Sequence, residues 1–219
     1  MQWIRGVWEL MKYGYPTRMP PFIQRIYPQA LWRIPTENKE VFLTFDDGPH
    51  PEITPWVLDQ LDAFGAKAIF FLIGDNVHRY PEVVAEILRR GHQVGNHTMK
   101  HLDAWKHSPK ELEIDLIRSK KHIPSAIFRP PYGHFRGASI KLWTRYFDQV
   151  ILWSVLSGDF DTRRAAQSCV DAVCKQIKSG DIVVFHDSDK AWPRLSKALP
   201  MILNDLQNQG YRFSAILMD

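Results

Sequence analysis

Cysteine is scarce in this chain: two residues in 219, Cys169 and Cys174. They stand in a stretch that reads as helix, where a spacing of five turns their side chains about 140° apart. Neither can bridge the other, so a disulfide framework is excluded and both are expected as free thiols packed as small apolar groups. Long apolar runs are missing as well. Arg5, Glu9 and Lys12 interrupt the first fifteen residues, which leaves neither a secretory core segment nor a membrane span, and the residues alone point to a cytoplasmic protein. A dominant sign of charge is also lacking. Lys and Arg total 28 against 24 Asp and Glu, a net +4 with the basic residues dispersed, so nucleic acid is not an expected partner.

What is present suffices for one well-filled core: 45% hydrophobic residues and no linker that would divide the chain. Residues 1–40 are expected as an N-terminal helix and a proline-rich arm packed on a domain formed by residues 41–219. Trp3, Ile4, Val7, Trp8, Leu10 and Met11 recur at helical spacing, for packing on the domain or for weak contact with a membrane surface. Pro16, Pro20, Pro21, Pro28 and Pro35 predict an irregular arm over residues 14–38.

From residue 41 short apolar strands alternate with amphipathic helices. Strands are expected at 41–45, 68–72, 93–95, 126–128, 150–153, 182–185 and 211–216; helices at 54–64, 81–90, 109–122, 139–147 and 164–178, and one ending near 210. Repeated strand–helix units imply parallel strands. Seven or so in this length suggest a compact, incomplete α/β barrel, with its chemistry at the strand C-termini.

Two motifs stand at such ends. Thr44-Phe45-Asp46-Asp47-Gly48-Pro49 delivers adjacent carboxylates whose like charges need a counter-ion, and His97-Thr98-Met99-Lys100-His101 offers two imidazoles at i and i+4. On a helical turn these two rings share a face; Gly91, Gly95 and Asn96 nearby favour a loop or short helix opening after a strand. Each motif alone fits a solvated turn or unrelated surface histidines. Together, two imidazoles and a carboxylate make a three-ligand site open to water and substrate, suited to one divalent cation: zinc, with cobalt or nickel able to substitute.

Three further segments follow strands. Phe128-Arg129-Pro130-Pro131-Tyr132-Gly133 is stiffened by its prolines and can aim Arg129 at a carboxylate, or serve equally as a rigid surface turn. His186 ends the run Ile182-Val183-Val184-Phe185, where a lone histidine is more often structural. Gly158-Asp159-Phe160-Asp161 places an acid that could orient it.

The order of these five motifs resembles the polysaccharide deacetylases of carbohydrate esterase family four, over roughly residues 41–216. The resemblance implies a distorted (β/α)7 barrel and a metal-dependent hydrolase removing acetyl groups from N-acetylglucosamine-type glycans or acetamido sugars. Asp47, His97 and His101 would bind the metal and Asp46 would be the base. Arg129 would hold Asp46, the Tyr132 amide would stabilise an oxyanion, and His186, tuned by Asp159, would be the acid. A substrate groove would involve Tyr132, Phe160, Val184 and Trp192. Leu156 and Phe160 stand where many relatives carry an acid and a tryptophan, which points to an altered groove. An amidase or deformylase acting on non-sugar C–N bonds is the alternative, a catalytically inert carbohydrate-binding protein a more distant one. The family also carries an extracytoplasmic alternative for location.

Overall fold

The computed structural model describes residues 12–216. Along it run α1 (Pro21–Ile26), β1 (Ala30–Leu31), β2 (Glu40–Asp46), α2 (Ile53–Ala63), β3 (Ala68–Leu72), α3 (Gly74–Arg79), α4 (Pro81–Arg89), β4 (Gln93–Asn96), α5 (Pro109–His122), β5 (Ile127–Phe128), α6 (Gly137–Trp143), β6 (Gln149–Ile151), β7 (Val155–Leu156), α7 (Ala166–Cys174), β8 (Ile182–His186), α8 (Trp192–Asn208) and β9 (Arg212–Phe213).

The strands are parallel and ordered β1-β6-β5-β4-β3-β2-β8-β7, with β9 added to the start of β2. β6 and β7 belong to one kinked stretch, residues 149–156, whose first half pairs with β5 and whose second half pairs with β8. The sheet therefore curls until its two ends meet on that stretch, giving a distorted (β/α)7 barrel. Alternation along β2 sorts its side chains. Val41, Leu43 and Phe45 join the cluster packed with α2 and α8, whereas Phe42 belongs to the second cluster, which runs through the barrel, and Thr44 and Asp46 share its side of the strand. The same parity on β8 puts Ile182, Val184 and His186 on the inner row.

Register decides where the chemistry gathers. Asp46 stands opposite both Phe71 and His186, Leu72 opposite Asn96, and Asn96 opposite Phe128. These rungs bring the C-terminal ends of β2, β3, β4, β5 and β8 to one level, so the residues that follow them collect on one rim.

Most elements stand where the sequence places them, with their ends shortened. α5 occupies the expected span because Ser108 and Glu111 form a reciprocal capping box at its start and Lys120, Lys121 and His122 complement its C-terminal dipole. The arm differs: it is not irregular throughout, since it contains α1 and β1, and β1 extends the sheet beside β6. The expected strand at 150–153 is replaced by β6 and β7, because the chain changes partners between them. α3 has no counterpart in the reading of the sequence; its six residues are too few for a periodic signal. The expected N-terminal helix lies almost wholly outside the described residues. Both cysteines lie on α7 as free thiols, and burial pushes each up to about 12. No helix among the described residues is long and apolar enough to cross a membrane.

The arm is fastened by a buried carboxylate. Asp181, fully buried just before β8, accepts from Arg18 Nη1 and Nη2 at 2.8 and 3.2 Å, from Ser154 Oγ at 2.8 Å and from the Lys178 amide at 2.7 Å; Arg33 Nε lies 3.0 Å away. Removing that acid leaves the buried Ser154 hydroxyl without its acceptor and frees two partly exposed arginines of the arm. Asp181→Ala should cost about 1–3 kcal/mol, the range for leaving a buried polar group unsatisfied. Urea unfolding measures it, and a loss too small to shift the midpoint would show that the arm is held by other contacts.

Candidate active site

β2 ends in Asp46 and Asp47, and the two carboxylates part company there. Asp46 continues the inner row, where Arg129 Nη1 donates to its Oδ1 at 2.7 Å. Asp47 takes φ 81°, in the left-handed region, and turns its carboxylate out of the strand toward two histidines. Its Oδ1 lies 3.2 Å from His101 Nε2 and 3.9 Å from His97 Nε2. The preceding strand is therefore a fork that separates two adjacent acids into two environments.

The histidines are not on a helical turn, contrary to that reading of their spacing. Residues 97–101 form a loop in which Thr98 and His101 have φ 69° and 55°, and this backbone brings the two rings to 5.0 Å between centroids. The loop and the turn after β2 are anchored by Asn96, already marked in the sequence, and by two side chains the sequence reading passed over, Asp115 and Asn76. Asn96 Oδ1 accepts from the Thr98 amide at 2.9 Å and from Ser119 Oγ at 2.9 Å; Asp115 Oδ2 accepts from the Met99 amide at 2.8 Å; Asn76 Nδ2 donates to the Asp47 carbonyl at 2.8 Å. Asp115 carried a legible signal, since it falls with Leu112, Leu116 and Ser119 on the buried stripe of α5, where an unpartnered acid would be costly.

Ligand atoms of Asp47, His97 and His101 all lie within 4.8 Å of one another. His97 Nδ1 is 2.7 Å from the Arg129 carbonyl, which fixes the ring with its Nε2 toward Asp47, the arrangement that orients a metal-binding imidazole. Burial pushes His97 down to about 4, so its ring is neutral near pH 7. Burial opposes ionisation of Asp47, but the His101 hydrogen bond and the charges of His186 and His101 outweigh it and hold the carboxyl well below the usual range. One carboxylate oxygen and two imidazole nitrogens suit a divalent cation with open positions.

His186 faces the same rim from β8, in register with Asp46. Its Nδ1 is 2.8 Å from Asp159 Oδ1, and its amide donates to Asp159 Oδ2 at 2.9 Å. Burial disfavours its charge, yet the charge and hydrogen bond of Asp159, helped by Asp47 and Asp46, raise it to about 9. Arg194 Nε in turn donates to the Asp159 carbonyl. Next to His186, Asp187 is buried and also went unnoticed in the sequence. It accepts from the Gly48 amide at 3.1 Å and from Thr54 Oγ1, and burial, with the charges of Asp47 and Asp46, pushes it up to about 8. A Cβ on Gly48 would stand 2.3 Å from Asp187 Oδ2, so only glycine lets the turn after Asp47 close on this acid.

The expected groove residues divide. Tyr132 is 57% exposed at φ 61°, its ring 4.6 Å from that of His101. Phe160 stands edge-on to His186 at 5.1 Å, with Tyr15 of the arm at 5.3 Å on another side. Val184 is 1% exposed in the barrel interior, opposite Thr44 and Leu156, and presents no surface to a ligand. Trp192 is not in a loop: it opens α8 and packs edge-on against Trp56.

A parallel barrel with a mixed carboxylate–imidazole cluster and a charged acid–histidine pair at one rim defines a hydrolase of the metal-assisted kind. The polysaccharide deacetylase family model matches residues 33–146, and the chain belongs to that family. A peptidoglycan-N-acetylglucosamine deacetylase of Bacillus cereus is 40% identical over 191 residues, covering 84% of this chain and 90% of that protein. A chitooligosaccharide deacetylase of a Bradyrhizobium strain is 35% identical, over 68% of this chain and 71% of its own. The crystal structure of a peptidoglycan N-acetylglucosamine deacetylase bound to an N-hydroxybenzamide superposes with a TM-score of 0.81 at 29% identity, covering 90% of this chain and 95% of that one. The chain is accordingly a hydrolytic N-deacetylase of a metal-dependent family.

Metal affinity should collapse in His97→Ala and in His101→Ala, each of which deletes a nitrogen of the cluster. Asp115→Ala, which only frees the loop, should weaken binding about tenfold, the lower end for a residue that orients ligands. Elemental analysis after dialysis reads both effects; parent-like retention in the two histidine variants would dismiss the cluster as a metal site.

Proposed function

We propose that this chain removes acetyl groups from 2-acetamido sugars within a cell-wall-type glycan, with zinc held by Asp47, His97 and His101. The observation that carries the reading is the pair of in-register groups beside that cluster, Asp46 with its arginine and His186 with its aspartate. The names of the relatives support a glycan over a non-sugar amide. Peptidoglycan lies outside the cytoplasmic membrane, which supports the extracytoplasmic alternative for location.

A bound divalent cation supplies Lewis-acid polarisation of the acetamide carbonyl and a water acidic enough to lose a proton near neutral pH. Arg129 occupies Asp46 Oδ1, and Oδ2 takes the proton as water attacks the carbonyl carbon. The Tyr132 amide donates to the oxygen on which negative charge develops; the two prolines before it lack N–H groups, so they cannot compete for that oxygen. His186, with Nδ1 held by Asp159, gives a proton from Nε2 to the departing nitrogen. The C–N bond breaks and acetate and a free amino sugar leave.

Asp46→Asn and His186→Ala should each lower kcat roughly a hundred- to ten-thousandfold, the range for a positioned proton-transfer group. Both should keep their metal. Because the raised His186 is protonated below about 9, the rate should fall as pH rises through that region, and the limb should be absent from what remains in His186→Ala. Released acetate against pH measures this. A limb that persists in His186→Ala would assign the acid to another group.

A further inference from the structure

Trp105 lies in the loop between His101 and α5, 53% exposed and yet firmly fixed. Its amide donates to Asp103 Oδ1 at 2.9 Å, its indole Nε1 to the Phe135 carbonyl at 3.2 Å, and its own carbonyl accepts from Arg136 Nη2 at 3.0 Å. His134 is stacked on the indole, centroids 3.5 Å apart and planes 4° from parallel. The same Asp103 oxygen holds His134 Nδ1 at 3.0 Å. From His134 the aromatic surface continues to Tyr132, 5.5 Å away, and from Tyr132 to His101, 4.6 Å away. An unbroken row of rings thus leads from the metal cluster to an exposed indole.

Half of that indole's surface gains nothing from the core, while its orientation is set by a hydrogen bond, a stacked ring and two backbone anchors. A flat apolar face, its one polar group satisfied beneath, is preorganised for the C–H face of a sugar ring and loses little side-chain entropy on binding. We infer that Trp105 and His134 form a subsite for a sugar neighbouring the one that is deacetylated, so the ligand is an oligosaccharide chain running along this row. The inference rests on the glycan N-deacetylase reading of the rim and extends it to chain length. It also places specificity on the loops after β4 and β5, beside Tyr132 of the expected groove and away from Phe160, Val184 and Trp192.

The test uses N-acetylglucosamine and N-acetylchitotetraose. In Trp105→Ala the preference in kcat/KM for the tetramer over the monomer should fall about tenfold, through KM, the equivalent of one well-made ring contact. Trp105→Phe, which keeps a flat ring, should restore most of it, and His134→Ala should reduce it as well if Trp105→Ala proves unstable. Calorimetric titration of Asp46→Asn with the tetramer, with and without Trp105→Ala, should show the same loss in Kd without turnover. A merely structural role would lower stability or kcat and leave the length preference and Kd alone, and that result overturns the subsite. If the parent releases no acetate from either sugar while tetramer binding still depends on Trp105, the subsite stands and the N-deacetylase reading falls.

Discussion

The burial of Arg129 constrains the rest of the structure. Its side chain is fully enclosed in the barrel, a place where an unpaired guanidinium would cost several kcal/mol. Every part of it is answered: Nε by the Ile151 carbonyl at 3.1 Å, Nη2 by the Leu152 carbonyl at 3.0 Å, and Nη1 by Thr44 Oγ1 and Asp46 Oδ1, both at 2.7 Å. The face of Phe71 covers the guanidinium at 4.1 Å. These partners come from β2, β3 and the β6 edge, so one cation ties three sides of the barrel together below the rim. The backbone carbonyl of the same residue receives His97 Nδ1, which couples the orientation of a metal-ligand candidate to the residue that positions Asp46. A substitution of Arg129 would therefore disturb both halves of the site and the barrel at once.

Backbone strain is concentrated at the same rim. The four non-glycine residues with positive φ among those described are Asp47, Thr98, His101 and Tyr132, each part of the site or next to it. Such conformations cost of order 1–3 kcal/mol apiece and persist only where surroundings over-determine them. Here the surroundings are Asn96, Asp115 and Asn76, three polar side chains whose hydrogen bonds go to the strained loops themselves. Rigidity of this sort suits a cluster whose ligand atoms must converge before a cation arrives.

The sequence made the barrel and the functional motifs legible because both rest on local pattern: apolar runs of strand length, amphipathic helices with caps, and acids or histidines placed just after strands. It misled where geometry is set at a distance. The i, i+4 spacing of His97 and His101 is a helical spacing, but the rings converge through two left-handed residues in a loop held by the adjacent Asn96 and by Asp115 of α5. Val184 is consumed by the barrel interior, and Trp192 turns one edge of its ring to Trp56 and is partly buried. Trp105 and Asp103 sit in a short polar loop with no periodicity, so nothing local marks their stacking partner His134, some thirty residues away.

Asp46 and His186 come from adjacent strands with opposite surroundings. Asp46 on β2 faces a buried cation and His186 on β8 faces a buried anion, so two groups on the same rung stand in opposite electrostatic surroundings. Asp46 and His186 stand at strand ends, while Trp105, Tyr132 and His134 are carried by loops. Leu156 packs in the barrel interior and Phe160 against Tyr15 of the arm, and the Arg129–Asp46 and Asp159–His186 pairs stand intact beside them.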